Sequence, residues 1–312
     1  MMQREIRIAT RGSKLAVYQA ERVKEQIEQN FPGIKTTIKI IHTRGDKVLD
    51  ISLSKIGDKG LFTKELEHAL IRDHADIAVH SLKDLPTEIS PGLTIGGVLE
   101  RGEIRDALIS ARVLSFKDIS PELRIATSSL RRRAQLMLQV PGINVTDIRG
   151  NVDTRIRKMK EGECDAIVMA AVGLQRLGLE EYIRELLDTD VMIPAVGQGA
   201  IAMQIRRNDK YIEEITEKIN HKPTLISTHA ERIFLRRLEG GCQIPIGCYT
   251  TVRNNTITLT GFVSDIDGNH AIKLSVTGPL NDADQLAKEL AEDFIKEGAG
   301  KIIAKIRQIA NA

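Results

Sequence analysis

The sequence predicts an α/β protein of two lobes, each a sheet flanked by helices, followed by a small α+β C-terminal domain. Three observations predict it. A segment near the N-terminus returns about two-fifths of the way along the chain, together with the pattern behind it. Strand-like and helix-like segments alternate up to about residue 217. Beyond that point the pattern turns to alternating strands and a long amphipathic helix.

The repeat begins at Arg7-Ile8-Ala9-Thr10, which returns as Arg124-Ile125-Ala126-Thr127. Each copy leads to serine, Ser13 in the first and Ser128 with Ser129 in the second. Helical periodicity follows, Leu15 to Ile27 and Leu130 to Leu138, and then an extended run closing on Arg-Gly, Ile38 to Asp46 and Ile143 to Asn151. A helix-like segment and a short apolar strand complete each copy, at Ala75 to Val79 and Asp165 to Met169. Correspondences in one order predict a duplicated domain. Strands alternating with helices predict parallel sheets covered on both faces, with ligands beyond the carboxyl ends of the strands. Arg11, Ser13, Lys83, Asp84, Thr127, Ser128, Ser129, Arg149, Gly150 and Asn151 fall there.

The stretch DVMIPAVGQGAIAMQI, Asp190 to Ile205, reads as a return crossing, and Ala200 to Met203 restarts a strand that completes the first lobe. The expected domains are 1–99 with 197–217, 100–196, and 218–312. In the last, a helix (Leu225 to Leu238) leads into EGGCQIPIG. Strands at Ile257 to Phe262 and Ala271 to Val276 follow, then a helix over about Asp282 to Glu297.

The net charge of +3 and an aromatic content of 3% without tryptophan argue against a nucleic-acid coat or a base-stacking platform. No apolar run approaches the roughly 18 residues of a membrane span. The start MMQREIRIAT carries no apolar signal segment, and three cysteines are too few for a disulfide scaffold. The expectation is a reduced, cytoplasmic protein with nothing that demands an oligomer.

Between Arg124 and Arg157 stand seven arginines, no lysine and two acids. Arg131-Arg132-Arg133 opens a helix, where the dipole favours anions rather than cations. Such a run is either a solvated basic face or an anion site; its place after strands favours the anion site. Arginine forks suit carboxylate or phosphate. The phosphate-cradling G-x-x-x-x-G-K-[ST] pattern is absent, so the arginines suggest several carboxylates along an extended ligand.

Asp84, in HSLKDLP, is either a turn-forming ion pair or a carboxylate kept ionised by neighbouring cations and suited to a cationic intermediate. His80 reads as a buried partner. Cys242 and Cys248 lack the spacing and second pair of a zinc site, so no metal is expected. Cys242 lies between Gly240-Gly241 and Pro245, a segment that lets a ligand approach closely. The residues alone leave it open as a nucleophile or attachment point, a packed thiol, or a redox sensor.

RIATRGSKLA, HTRGDK, KGLFTKELEHAL, DIAVHSLKDLP, IATSSLRRRAQL, IRGNVDTR, AVGLQRLG, IPAVGQGA and EGGCQIPIG, in order from residue 7 to 247, resemble the porphobilinogen deaminase (hydroxymethylbilane synthase) family. The resemblance implies two periplasmic-binding-protein-like lobes with a central cleft and a third domain. It implies a transferase of heme biosynthesis that joins four porphobilinogen units, with loss of ammonia, on a covalent dipyrromethane primer. The primer's thioether falls on Cys242 and the catalytic aspartate on Asp84. Lys83, Ser129, Arg131, Arg132 and Arg155 match the primer-holding set, with Thr127, Ser128 and Gly150 beside them. Arg11, Ser13, Arg149 and Arg176 match positions for the incoming unit or growing chain, and Gln19 and Gln198 line the substrate pocket. Lys55 and Lys59 lie in a glycine-containing segment read as either a lid or an exposed loop. Gly12 stands where the family often has a larger residue, and Cys248 has no assigned role.

Two other readings compete. A non-enzymatic binder of a polyanion would need the arginines but neither Asp84 nor Cys242. A nucleic-acid binder would use the LRRR helix and weaken steeply with salt.

Overall fold

The first RIAT copy forms β1 (Ile6–Thr10), in which Ile6 and Ile8 are fully buried on one face and Ala9 on the other. This computed structural model describes residues 5–47, 60–238 and 244–311; Lys55, Lys59 and Cys242 lie outside them. Ser13 caps α1 (Lys14–Asn30), accepting from Ala16 N, and the helix buries Ala20, Val23 and Ile27 at three- and four-residue spacing. β2 (Thr36–Ile40), α2 (Arg44–Lys47), α3 (Lys64–Ile71), β3 (Ile77–Ser81) and β4 (Leu93–Val98) follow.

The chain then forms β5 (Asp106–Ser110), β6 (Arg124–Ala126), α4 (Leu130–Gln139), β7 (Asn144–Thr146), α5 (Val152–Lys160), β8 (Ala166–Ala170), α6 (Ala171–Gln175) and β9 (Ile183–Leu187). After the crossing come β10 (Ile201–Arg206), α7 (Lys210–Lys218) and α8 (Lys222–Arg237). The last part holds β11 (Ile246–Arg253), β12 (Thr256–Ser264), β13 (Ala271–Pro279), α9 (Ala283–Lys296) and α10 (Ala299–Asn311). β11 and α10 go beyond the sequence expectation.

The two large sheets have the same order, β2-β1-β3-β10-β4 and β7-β6-β8-β5-β9. Equivalent registers also match: Ile8 pairs with Ile77 and Ala9 with Ala78, as Ile125 pairs with Ala166 and Ala126 with Ile167. The expectation of parallel sheets needs correction. β10 runs antiparallel to β3 and β4, and β5 to β8 and β9. A parallel neighbour requires a long crossover connection; β5 and β10 enter their sheets straight from the crossings, without a helix, and so insert reversed.

The duplication extends to side chains. Asp76 Oδ2 accepts from Arg7 N (2.9 Å) and Arg7 Nε (2.8 Å). Asp165 Oδ2 accepts from Arg124 N (2.8 Å) and Arg124 Nε (3.3 Å). A second arginine completes each clamp, Arg206 Nη2 on Asp76 (3.0 Å) and Arg112 Nη1 on Asp165 (2.6 Å).

Helices cover both faces of each large sheet, which is why their strands read as nearly continuous apolar runs. In the first lobe Val23, Ile27, Ile212 and Ile215 close one face, and Leu66 and Leu70 the other. In the second, Leu136 of α4 closes one face, and Ile156 and Met159 of α5 the other.

The antiparallel β11-β12-β13 sheet is a separate small layer. Under it Phe234 and Phe294 meet edge to face with centroids 5.1 Å apart. Gly261 makes room for them, since a Cβ there would lie 2.7 Å from Phe234 Cζ.

By compactness the described residues up to Gly102 join Gly199–Ile226 in one unit. Glu103–Gln198 and the described residues from Ser227 onward form the other.

Candidate functional site

The second RIAT copy delivers its loop to the start of α4. Thr127 N donates to Thr146 O (2.8 Å), and Thr127 Oγ1 accepts from Ser129 N (3.3 Å). Ser128 Oγ donates to Ile148 O and accepts from Ile148 N. These bonds lash the Thr127–Ser129 loop to the Ile148 loop. Ser129 is the N-cap of α4, accepting from Arg132 N at 3.4 Å.

Arg131 and Arg132 then turn inward to one carboxylate. Arg131 Nη2 donates to Asp106 Oδ2 and Arg132 Nη2 to Asp106 Oδ1, each at 2.8 Å. All three side chains are buried. Burial alone would raise the Asp106 carboxyl, but the two guanidinium charges, with hydrogen bonds from Arg132 and Gln198, hold it well below the usual carboxylate range. Two cations share one anion, so the cluster carries net positive charge inside the protein, at a helix end that is itself positive.

Among the described residues, the buried Nε atoms of Arg131, Arg132 and Arg133 have no hydrogen-bond partner. Buried donors are normally satisfied. Of the three, Arg133 lines a pocket of about 160 Å³ together with Thr127, Ser128, Ser129, Leu130, Asp147 and Ile266.

After β7, Gly150 has φ +110°, and a Cβ there would lie 2.6 Å from Thr154 Cγ2, so glycine is required twice over. Its carbonyl accepts from Arg155 Nε at 2.8 Å. Arg149, Arg155 and Arg176 are all half-buried, Arg176 directly after α6. Two of the seven arginines stand apart from this site: Arg124 belongs to the Asp165 clamp, and Arg157 pairs with Glu161 one helical turn on.

In the first lobe, Arg11 lies over the Phe62 ring, 4.1 Å from its centroid. Ser13 is occupied in capping α1. Gly12 is exposed; a Cβ there would come 3.3 Å from Ile40 Cγ2. Gln19 is buried, and its Nε2 donates to Ser81 Oγ at 2.8 Å.

β3 ends in a single 3-10 turn, Leu82–Asp84. Leu82 and Leu85 anchor it in the core. Between those anchors Lys83 is half-buried and Asp84 exposed. His80 is buried as expected: Gln204 Nε2 donates to Glu67 Oε1 (2.8 Å), leaving Gln204 Oε1 to accept from His80 Nε2 (3.1 Å).

The stems of the Cys242 segment are the end of α8 and the start of β11. Cys248 lies fully buried in β11 and is in no disulfide. Gln198 is fully buried, with its amide donating to Ile104 O (2.7 Å) and Asp106 (2.9 Å); it supports the carboxylate under the arginines. Among the described residues no group of three or more His, Cys, Asp or Glu is placed to hold a metal, and no helix is long and apolar enough to cross a membrane.

Sequence reasoning did not find Asp106. The one available signal was an acid opening the otherwise apolar strand DALIS.

Duplicated α/β lobes with a buried cluster of two arginines and one carboxylate at a helix N-terminus define a two-lobed α/β protein with excess positive charge in its second lobe. The particular family follows from comparison of the chain with known proteins: it belongs to the porphobilinogen deaminases. Residues 6–214 match the family description "porphobilinogen deaminase, dipyromethane cofactor binding domain", and 225–296 match "porphobilinogen deaminase, C-terminal domain". The porphobilinogen deaminase of Carboxydothermus hydrogenoformans is 46% identical over 310 residues, covering 99% of this chain and 100% of the relative. That of Geobacter sulfurreducens is 44% identical over 303 residues, covering 97% and 95%. That of Chlorobaculum tepidum is 45% identical over 310 residues, covering 98% and 99%.

The residues present fit a dipyrromethane. Such a group carries carboxylates, and the buried Nε donors of α4 supply the complementary chemistry.

Proposed function

We propose that this protein removes ammonia from porphobilinogen and joins four such units head to tail, releasing hydroxymethylbilane. The carrying observation is the Arg131–Arg132–Asp106 cluster, where one carboxylate serves two buried guanidiniums and leaves Nε donors over. When bound, the dipyrromethane supplies the nucleophilic pyrrole end from which the chain grows, through a thioether on Cys242.

In this reading Arg131, Arg132 and Arg155, with Lys83 and Ser129, hold the carboxylates of that group. Thr127, Ser128 and Gly150 set the loops that present them. Arg11, Ser13, Arg149 and Arg176 take the acetate and propionate of the incoming unit. Gln19 and Gln198 act from behind, through Ser81 and Asp106.

Asp84 is the catalytic group. Loss of ammonia takes the C–N bonding pair away with the nitrogen and leaves a cationic pyrrole methylene. The Asp84 carboxylate offsets that charge and accepts a hydrogen bond from the pyrrole N–H. Carbon–carbon bond formation then releases the α-proton of the attacking ring. Buried Leu82 and Leu85 anchor the turn that carries Asp84, and a charge placed in advance of the step is often the largest catalytic contribution.

A cytoplasmic monomer completes the reading, and the small net charge and the scarcity of aromatics support a partner other than nucleic acid.

Intact mass measurement under denaturing conditions tests it. A dipyrrole adduct is expected on the wild-type chain, mapping to Cys242 and absent from Cys242→Ser. An unmodified chain with full activity overturns the proposal.

A further inference from the structure

The segment from Ile193 to Gln198 meets three parts of its unit at once. On one side it orients the cationic cluster. Ile193 O accepts from Arg131 Nη1 and from Gln135 Nε2 (3.1 Å), Ile193 N donates to Gln135 Oε1 (2.7 Å), and Gln198 reaches Asp106. On a second side it seats β11: Cys248 N donates to Pro194 O at 3.1 Å, and a Cβ on Gly247 would lie 2.8 Å from that oxygen.

The third contact is made by Glu231. Its Oε2 accepts from Gly197 N (2.8 Å), and its Oε1 accepts from Thr250 N (3.0 Å) and Thr250 Oγ1 (2.9 Å). Glu231 is fully buried on α8, on the same stripe as Ser227, Ala230, Phe234 and Leu238. A carboxylate on the core stripe of a helix is costly unless hydrogen-bonded, and packing alone would be served by an apolar side chain. This one joins α8, which enters residues 239–243, to β11, which leaves them, and joins both to the segment that orients Arg131.

We propose that Glu231 is a positioning residue. It holds the two stems of the Cys242 segment in register with the Arg131–Arg132–Asp106 cluster, so that a group tethered at one end meets its carboxylate site at the other. The inference rests on the reading of Cys242 as the tether. In this proposal Glu231 acts through Gly197 and Thr250 rather than on a ligand. Glu231→Gln keeps the shape but turns an N–H toward an N–H at Gly197 or at Thr250.

The experiment follows reconstitution of cofactor-free full-length wild type, Glu231→Gln, Thr250→Val and Cys242→Ser with porphobilinogen. Adduct is read by denaturing mass spectrometry, fold by near-ultraviolet circular dichroism, and kcat and KM are taken per mole of adduct. The expected result is a folded Glu231→Gln that gains adduct about ten-fold more slowly, with kcat per adduct down about ten-fold and KM nearly unchanged. A purely structural role would lower the melting temperature and leave kcat per adduct at the wild-type value; that result overturns the inference. Should Glu231→Gln fail to fold, Thr250→Val, which removes one donor, decides in the same way: slower loading and lower kcat per adduct support the proposal, and wild-type values refute it. An adduct missing from the wild type as well would instead remove the Cys242 reading.

Discussion

Arg131 and Asp106 face each other at 2.8 Å with side chains only 5% and 0% exposed. Arg132 meets the other oxygen of the same carboxylate at 2.8 Å. Removing that carboxylate leaves two guanidiniums buried side by side. Asp106→Asn is therefore expected to cost about 3–5 kcal/mol in urea unfolding, as for other buried pairs that lose one partner. A change below about 1 kcal/mol would mean that the arginines are solvated.

Asp84 offers the opposite case, an exposed carboxylate with no burden in the core. Asp84→Asn should leave the melting temperature and the Cys242 adduct as in the wild type. Turnover should fall at least about 100-fold, the scale seen when a preorganised charge-stabilising group is removed. Wild-type rates would exclude the assigned role.

Acid should destabilise the protein in two windows. Burial, and next to it the charge of Arg11, push the His80 pKa down to about 4 from 6.5, against the hydrogen bond with Gln204. Between those values the unfolded chain binds a proton that the folded chain does not. Stability is thus full above pH 6.5 and falls by roughly 3 kcal/mol as the pH drops to 4. Asp165 adds a lower window: hydrogen bonds from Arg124 N and Arg112 hold its carboxyl at about 2, so its contribution is lost between pH 3.8 and 2. Melting temperatures of His80→Asn against pH should flatten in the upper window and keep the lower one.

The turn between β12 and β13 rests on α4, the helix that carries the arginine cluster. Gly268 has φ +73°, and a Cβ there would lie 2.5 Å from Ala134 O. Gly298 also has positive φ (+101°) but no atom near its Cβ position. Gly298→Ala should cost about 1 kcal/mol from backbone strain alone. Gly268→Ala should cost that plus about 1–3 kcal/mol from the collision. Equal losses in chemical denaturation would show that the turn moves freely off the helix.

Much of this molecule was legible in the chain because local patterns carry it. The RIAT repeat marked two copies of one sheet, since strand and helix periodicities are local and survive duplication. The serines that follow each copy were visible too, and the structure makes Ser13 and Ser129 the caps of α1 and α4. Asp84 and Cys242 stood out by their motifs, with roles that the resemblance supplied.

Other features depended on residues far apart in sequence. Arg7 and Arg124 read as equivalents of one motif, yet only their pairing with Asp76 and Asp165 makes them clamps rather than ligand arginines. Asp106 precedes Arg131 by 25 residues, and Glu231 follows Gly197 by 34. The reversed insertion of β5 and β10 likewise arises from where the crossings enter the sheets. The sequence by itself determined the duplication and which residues were available to bind carboxylates. The tertiary structure decided which of those charges are neutralised within the protein and which donors remain for a ligand. A buried charge must find its partner wherever the fold brings one, and no local pattern records that encounter.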